Sequence, residues 1–358
     1  MSIVARESQV IVIDVGGTLF RSARVGVAGQ LEDRRTTPAI SMRNYPGKST
    51  ADLQKDLLAY LITEARFHRA VARGSCTVGV SVGAALHHRT GVIWNSGPLW
   101  GGSNVPFELS RKLREQAPEF DWHITNDVTA ALLAVIAQGG HPVGRDICYV
   151  TVSTGIAARI WFANTAGIVV DDVAGLQGEI GHIPVTAEFQ GKTLPLTCDC
   201  GGLHHLNAVS SGRGIEAVLD HIRCTIPEIS RELNLVSGGD HAATFKAALD
   251  RGSPIARELL STCLRPLAQV VLTMIACNPS IARIYFGGGV PTGLGLKLWR
   301  DAFLQVLDLY GAYQISGRYP EFFGEMIRVV DGTDLSLLGA GWIASQTDPV
   351  YLSAVPSA

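Results

Sequence analysis

No run of Lys or Arg in this 358-residue chain is long enough to form a nucleic-acid-binding tail, and the formal net charge is only −2. Electrostatics therefore point to no polyanionic partner. Charge is scarce altogether, at 17% of residues against 47% hydrophobic, so the chain can bury a sizeable core. The segment MSIVARESQ shows no basic stretch followed by an apolar core and a cleavage site, and no apolar run approaches the length of a membrane span. These absences predict a soluble, cytoplasmic protein with no membrane partner. A disulfide framework is excluded too, because the seven cysteines are odd in number and scattered, except for Cys198 and Cys200. A metal role is confined to that pair, and the other five read as small buried hydrophobes.

What is present is an alternation of short apolar strands with amphipathic helices, which predicts an α/β fold. VIVIDVG (residues 10–16) is a strand running into glycines, and SARVGV returns as its hairpin partner. TADLQKDLLAYLITEARF reads as a helix, CTVGVSV as a strand and VPFELSRKLREQ as a helix. WHITNDVTAALLAVIAQGG is a strand entering a helix whose first turn carries Asn126 and Asp127. The second half repeats the plan: DICYVTVSTG is a strand ending in a glycine turn, and ARIWFA is its partner. Further on, Ile255, Leu259, Leu260, Cys263, Leu264, Leu267, Val271 and Met274 form one helical stripe. The strand ARIYF, the turn Gly287–Gly289 and a final helix from about Asp334 follow. No linker rich in Pro, Gly or Ser separates the halves. Two α/β domains are expected, residues 1–125 and 126–358, hinged at a cleft, with the last helix packing back on the first.

Among the motifs, IDVGGTLFR (residues 13–21) places an acidic residue at a strand end before two glycines and a threonine, where backbone N–H groups can approach phosphate without a Cβ in the way. The ordinary alternative is a β-turn. PGKST (residues 46–50) lacks the glycine that a phosphate loop of the GxxxxGK[ST] type needs at position 42, where Met42 stands, and reads as a polar turn. STGIAAR (residues 153–159) and FGGGV (residues 286–290) are two further glycine turns at equivalent places. Asp127 suits an N-cap or first-turn carboxylate by spacing, and a proton acceptor for an attacking hydroxyl by chemistry. GEIGHIPV brings Glu179 and His182 together upstream of CDCGGLHHLNAVSSG (residues 198–212). His182, Cys198, Cys200 and His205 thus offer four N/S donors, the number of a closed structural zinc site. His204 is the alternative to His205, and a loop without metal the alternative to a site.

Taken in order, DVGGT (14–18), NSGPLW (95–100), ND (126–127), STG (153–155), GEIGH (178–182), the CxCG loop, GGG (287–289) and LLGAG (337–341) resemble the ROK family of sugar kinases and sugar-responsive repressors over nearly the whole chain. That resemblance implies the actin-like, ribonuclease H-like two-domain sugar kinase fold with a cleft between domains. It implies ATP and Mg²⁺, a structural Zn²⁺, a small polyol substrate and a homodimer, with no nucleic acid. Asp14, Gly16, Gly17 and Thr18 then match the first phosphate motif, with Asp14 placing the magnesium. Ser153, Thr154 and Gly155 match the second, and Gly287, Gly288 and Gly289 the adenosine side. Asp127 matches the catalytic base, Asn126 and Asn95 sugar contacts, and Glu179 and His182 residues touching the ring, His182 also holding zinc.

Three departures from the family pattern stand out. In CxCGxxGCxE, His204 replaces the glycine and His205 the third cysteine, and imidazole is a good zinc ligand. Asn207 replaces the glutamate that contacts hydroxyls near the anomeric carbon, which tilts the expected acceptor from glucose toward a C7-cyclitol. Ala157, Ala158 and Arg159 replace the usual glycines beside the second phosphate motif. The expected activity is ATP-dependent phosphorylation of a primary hydroxyl. The rivals are a glucokinase or N-acetylhexosamine kinase, a non-catalytic sugar-binding sensor, and a DNA-binding repressor, for whose helix-turn-helix the first strand starts too early.

Overall fold

The computed structural model describes residues 9–26, 29–72, 76–103, 105–173, 175, 178–346 and 352–354; most of MSIVARESQ lies outside them. The chain divides into two compact units. Unit 1 comprises residues 1–144, 159–177 and 334–358, and unit 2 residues 145–158 and 178–333. This differs from the expected split at 125/126. The strand Asp121–Asn126 passes directly into the helix Asp127–Gln138, and both lie in unit 1.

Unit 1 is built on a five-stranded sheet in the order Leu31–Pro38, Leu19–Val25, Val10–Val15, Thr77–Val82, Asp121–Asn126. The first three strands run antiparallel, in a hairpin register that sets Asp14 opposite Arg21, and the last three are parallel. All six residues of VIVIDV are buried, as expected of a central strand covered on both faces. The outer strand LEDRRTTP is half charged and mostly exposed, a composition that blunts a sheet edge against further pairing. The helix Thr50–Ala72 buries Leu53, Leu57, Leu58 and Leu61 against one face. The helix Leu335–Ala344 packs against Asp127–Gln138 and the central strands. Gly339 makes that approach possible, since a Cβ there would lie 1.8 Å from the carbonyl oxygen of Ala130. Gly339→Ala should therefore lower stability by about 1–3 kcal/mol through overpacking, which urea unfolding would read as a lower midpoint at unchanged slope.

Unit 2 carries the parallel strands Asp146–Val152, Ile281–Gly287 and Ile327–Val329, the second lying between the other two. The helix Pro254–Cys277 packs against Leu296–Tyr310, Asn207–Ser210 and His241–Asp250. From the expected stripe, Leu259, Leu260, Cys263, Leu264, Leu267 and Val271 are buried. By length and composition this helix would suffice to cross a membrane, which corrects the expectation that no apolar run comes near that length. Its most apolar eighteen-residue window carries one charge, Arg265, because the stripe is flanked by small and uncharged residues rather than charged ones. Just over half of that window, 56%, is buried within the protein. The helices Gly212–Thr225, Pro227–Leu233 and His241–Asp250 were not anticipated from the sequence pattern.

Candidate functional site

In unit 1 the expected residues Asp14, Gly16, Gly17, Thr18, Asn95, Asn126 and Asp127 lie at or near strand ends. Asp14, 2% exposed, closes the first strand, and its two oxygens are both engaged: Ser81 Oγ donates to Oδ1 at 2.7 Å, and Arg21 donates to Oδ2 from Nη2 at 2.6 Å and Nε at 3.1 Å. Oδ1, which accepts from Ser81, retains a second acceptor position, so Asp14 suits an oriented ligand of a hard cation. Gly16 and Gly17 follow in a turn closed by Gly16 N–H donating to Leu19 O, and Thr18 lies exposed at its end. Beside this turn, Gly83 N–H donates to Val15 O, Ser96 Oγ to Gly83 O and Asn126 Nδ2 to Ala84 O. Residues 83–84 thereby draw Asn95, next to Ser96, and Asn126 toward the same strand ends.

The helix cap belongs to Asn126 and not to Asp127. Asn126 Oδ1 accepts from Val128 N–H at 3.0 Å and Thr129 N–H at 3.1 Å, while Asp127 occupies the first turn. Gly83 leaves room there, since a Cβ on it would meet Asp127 Oδ2 at 3.3 Å. Although part of Asp127 reaches solvent, burial of its carboxyl, and next the negative charge of Asp14, push its pKa up to about 6. The Arg159 guanidinium pulls the other way. Arg159 is 3% exposed, and its Nε donates to Thr129 Oγ1 at 3.2 Å in the first turn of the same helix. This departure from the family glycines therefore bears on the acid of unit 1. Arg21 and Ser81 are residues that sequence reasoning missed, and Arg21, directly opposite Asp14 in the hairpin, left a readable signal, whereas Arg159 was read only as a departure beside the second phosphate motif.

In unit 2 the two remaining glycine turns touch. Ser153 N–H donates to Gly155 O, and Gly288, at φ 106°, approaches so closely that a Cβ would lie 2.6 Å from Val152 O. Thr154 lies between Ser153 and Gly155, and Gly287 closes the strand Ile281–Gly287. Gly289 begins a short helix next to Ser153 Oγ. Glu179 precedes the 3-10 turn Ile180–His182. Asn207 Oδ1 accepts from Ile156 N–H at 2.7 Å, so the oxygen expected to face a sugar is given to the backbone instead.

His182, Cys198, Cys200 and His205 place one donor atom each within 4.8 Å of one another. Nδ1 of His182 and His205 are 3.4 Å apart, and Cys200 Sγ is 3.2 Å from His205 Nδ1. The antiparallel bridges Pro184 to His205 and Thr197 to Leu203 fold the loop on itself. Gly202 shapes the cradle, since a Cβ there would lie 2.2 Å from the His205 ring. Two thiols and two imidazoles at this spacing suit zinc. His204 sits at φ 56° beside Ile183, Pro184 and Gln269, outside the cluster. PGKST is a turn in which Lys48 pairs with Asp56 at 2.5 Å and Ser49 Oγ receives Asp52 N–H.

The sequence model of the ROK family matches residues 10–306. The chain belongs to the ROK family. This ROK protein is 37% identical over 346 residues to a 2-epi-5-epi-valiolone 7-kinase of Actinoplanes sp., covering 95% of this chain and 94% of that one. It is 30% identical over 347 residues to a C(7)-cyclitol 7-kinase of Streptomyces hygroscopicus subsp. limoneus, covering 94% and 93%. Its fold is shared with a ROK family glucokinase from Streptomyces griseus solved with glucose and AMPPNP, at a TM-score of 0.68 and 18% identity over 93% of this chain and 98% of that one. ROK sugar kinases of the actin-like two-domain class are thus its structural neighbours.

Proposed function

We propose that this ROK kinase, a phosphotransferase with an alcohol group as acceptor, moves the γ-phosphoryl group of ATP to the C7 primary hydroxyl of a C7-cyclitol. The observation that carries the reaction is Asp127, a carboxyl raised to about 6 beside Asp14 at the strand ends of unit 1. The cyclitol rests on the two relatives named for such substrates, because Asn207, which first suggested it, holds a backbone amide.

In this reading Asp127 takes the proton from the primary hydroxyl as its oxygen attacks the γ-phosphorus. The bond from that phosphorus to the β,γ-bridging oxygen breaks, and ADP leaves with the electron pair. Asp14, held by Arg21 and Ser81, would orient Mg²⁺, which neutralises charge on the phosphates when bound. Gly17 and Thr18 present backbone N–H groups to phosphate, as do Thr154 and Gly155, while Gly16 and Ser153 close those two turns with their own N–H groups and Gly287, Gly288 and Gly289 face the adenosine. Asn95, Asn126, Glu179 and His182 bind the polyol, the last being shared with a structural zinc held by Cys198, Cys200 and His205. Catalysis comes mainly from positioning and charge stabilisation. A homodimer, which the family resemblance suggested, completes the reading and sedimentation equilibrium checks it.

Incubation with ATP and 2-epi-5-epi-valiolone, glucose or N-acetylmannosamine, read by mass spectrometry, tests the assignment. The cyclitol should gain one phosphate with a kcat/KM at least about tenfold above glucose, the scale on which modest pocket differences discriminate. A preference for either sugar would replace the substrate, and absence of product with all three would remove the kinase reading in favour of a sensor.

A further inference from the structure

Asn207 stands where three functional segments of unit 2 meet. It follows the donor His205 by two residues and opens the short helix Asn207–Ser210. Its side-chain oxygen receives Ile156 N–H at 2.7 Å, the first amide after the Ser153–Gly155 turn. Gly155 lies against the same amide group, and a Cβ there would meet Oδ1 and Nδ2 at 3.7 and 3.8 Å. On the other side is Gly181, next to the donor His182, where a Cβ would fall 2.2 Å from Oδ1 and 2.4 Å from Ile156 O. The backbone at 207 is fixed as well, because Ser211 Oγ donates to Asn207 O at 2.6 Å and itself accepts from Gly214 N–H.

We infer that Asn207 is a positioning residue for the Ser153–Gly155 turn, tying that turn to the His182 and His205 segments, and is not a ligand of the polyol. Four groups set this role: an acceptor of fixed length, two glycines that admit it, and a backbone that cannot swing away. Removing the acceptor leaves Ile156 N–H unpaired between packed segments, which frees the turn. The consequence falls on phosphate binding, a step that rests on the nucleotide reading above.

Amide hydrogen exchange of the segment containing Ile156 gives a readout independent of any ligand. In Asn207→Leu, of similar size but without an acceptor, Ile156 should exchange about tenfold faster or more, as expected for one lost buried hydrogen bond. Asn207→Asp, which keeps an acceptor oxygen, should restore protection. Gly181→Ala, which expels the amide by crowding, should reproduce the leucine effect. Calorimetric titration of Asn207→Leu should show AMPPNP bound about tenfold more weakly and the cyclitol within twofold of wild type. Unchanged exchange in Asn207→Leu overturns the inference, as does weakened cyclitol binding with AMPPNP binding intact. Should the wild-type protein itself fail to bind AMPPNP, the nucleotide reading falls, and the exchange comparison still decides whether Asn207 pins the turn.

Discussion

Asp127→Asn should reduce turnover by about 10²- to 10⁴-fold while leaving the fold intact, because the amide occupies the same space but accepts no proton. The pH profile separates this from a general loss of structure. Burial and the Asp14 charge hold the Asp127 carboxyl at about 6, so the wild-type rate should climb with pH through that value and level off above it as the base ionises. The residual rate of the asparagine variant should be flat across the same range. The same shift has a consequence for stability with the opposite sign. Asp127 binds its proton more tightly in the native than in the unfolded chain, where its pKa is 3.8, so its contribution is most favourable below about 3.8 and is lost as pH rises through about 6. At pH 8 the asparagine variant should be the more stable protein, by up to about 3 kcal/mol, and the advantage should vanish below about pH 4. Urea unfolding at the two pH values, alongside kcat from pH 5 to 9, checks both halves. Wild-type turnover in the variant would show that another group is the base.

Metal removal is the second large effect. Purified protein should contain one zinc per chain by plasma mass spectrometry, and Cys198→Ser or Cys200→Ser should lose it. His204→Ala should keep it while His205→Ala should not, since only His205 joins the four-donor cluster. Without metal, Cys198 is a poorly ionised thiol, its pKa pushed up to about 11 first by burial, so an occupied site must hold it as the thiolate through the ion itself. The loop from Cys198 to His205 has few other ties: a handful of backbone hydrogen bonds, two isolated bridges and an ion pair from Arg213 to Asp199. Chelation should therefore lower the melting temperature by about 5 °C or more, since a saturating ligand at a thousandfold its Kd contributes about 4 kcal/mol. Full retention of stability in strong chelator, with no zinc found, would leave the cluster as an unmetallated loop.

How much of this was legible in the linear chain depended on whether a feature is local. VIVIDV, TVGVSV and DICYVTV announce themselves because a strand covered on both faces must be continuously apolar, and the turns after them because close backbone approach needs glycine. The donors His182, Cys198, Cys200 and His205 were legible by type, since few side chains bind zinc. Between His204 and His205 only the family resemblance favoured His205, because residue type alone does not separate two adjacent imidazoles and the decision is made by a backbone turn at φ 56° and the room left by Gly202. The cap at Asn126 escaped for a related reason: Asn and Asp are equal candidates on paper, and the backbone at the strand end assigns the roles.

The chain by itself determined the family, the α/β class and the chemical identity of the acid, the glycine turns and the metal donors, because these depend on residue type and spacing. Tertiary structure alone decided what each polar atom is committed to. Arg21 and Ser81 reach Asp14 from two neighbouring strands, Arg159 reaches the helix of Asp127 from thirty residues away through Thr129, and Asn207 gives its oxygen to Ile156. Hydrogen bonds are satisfied in space with no regard to sequence distance, so a residue type announces what a side chain can accept or donate, and only the fold determines which partner receives it.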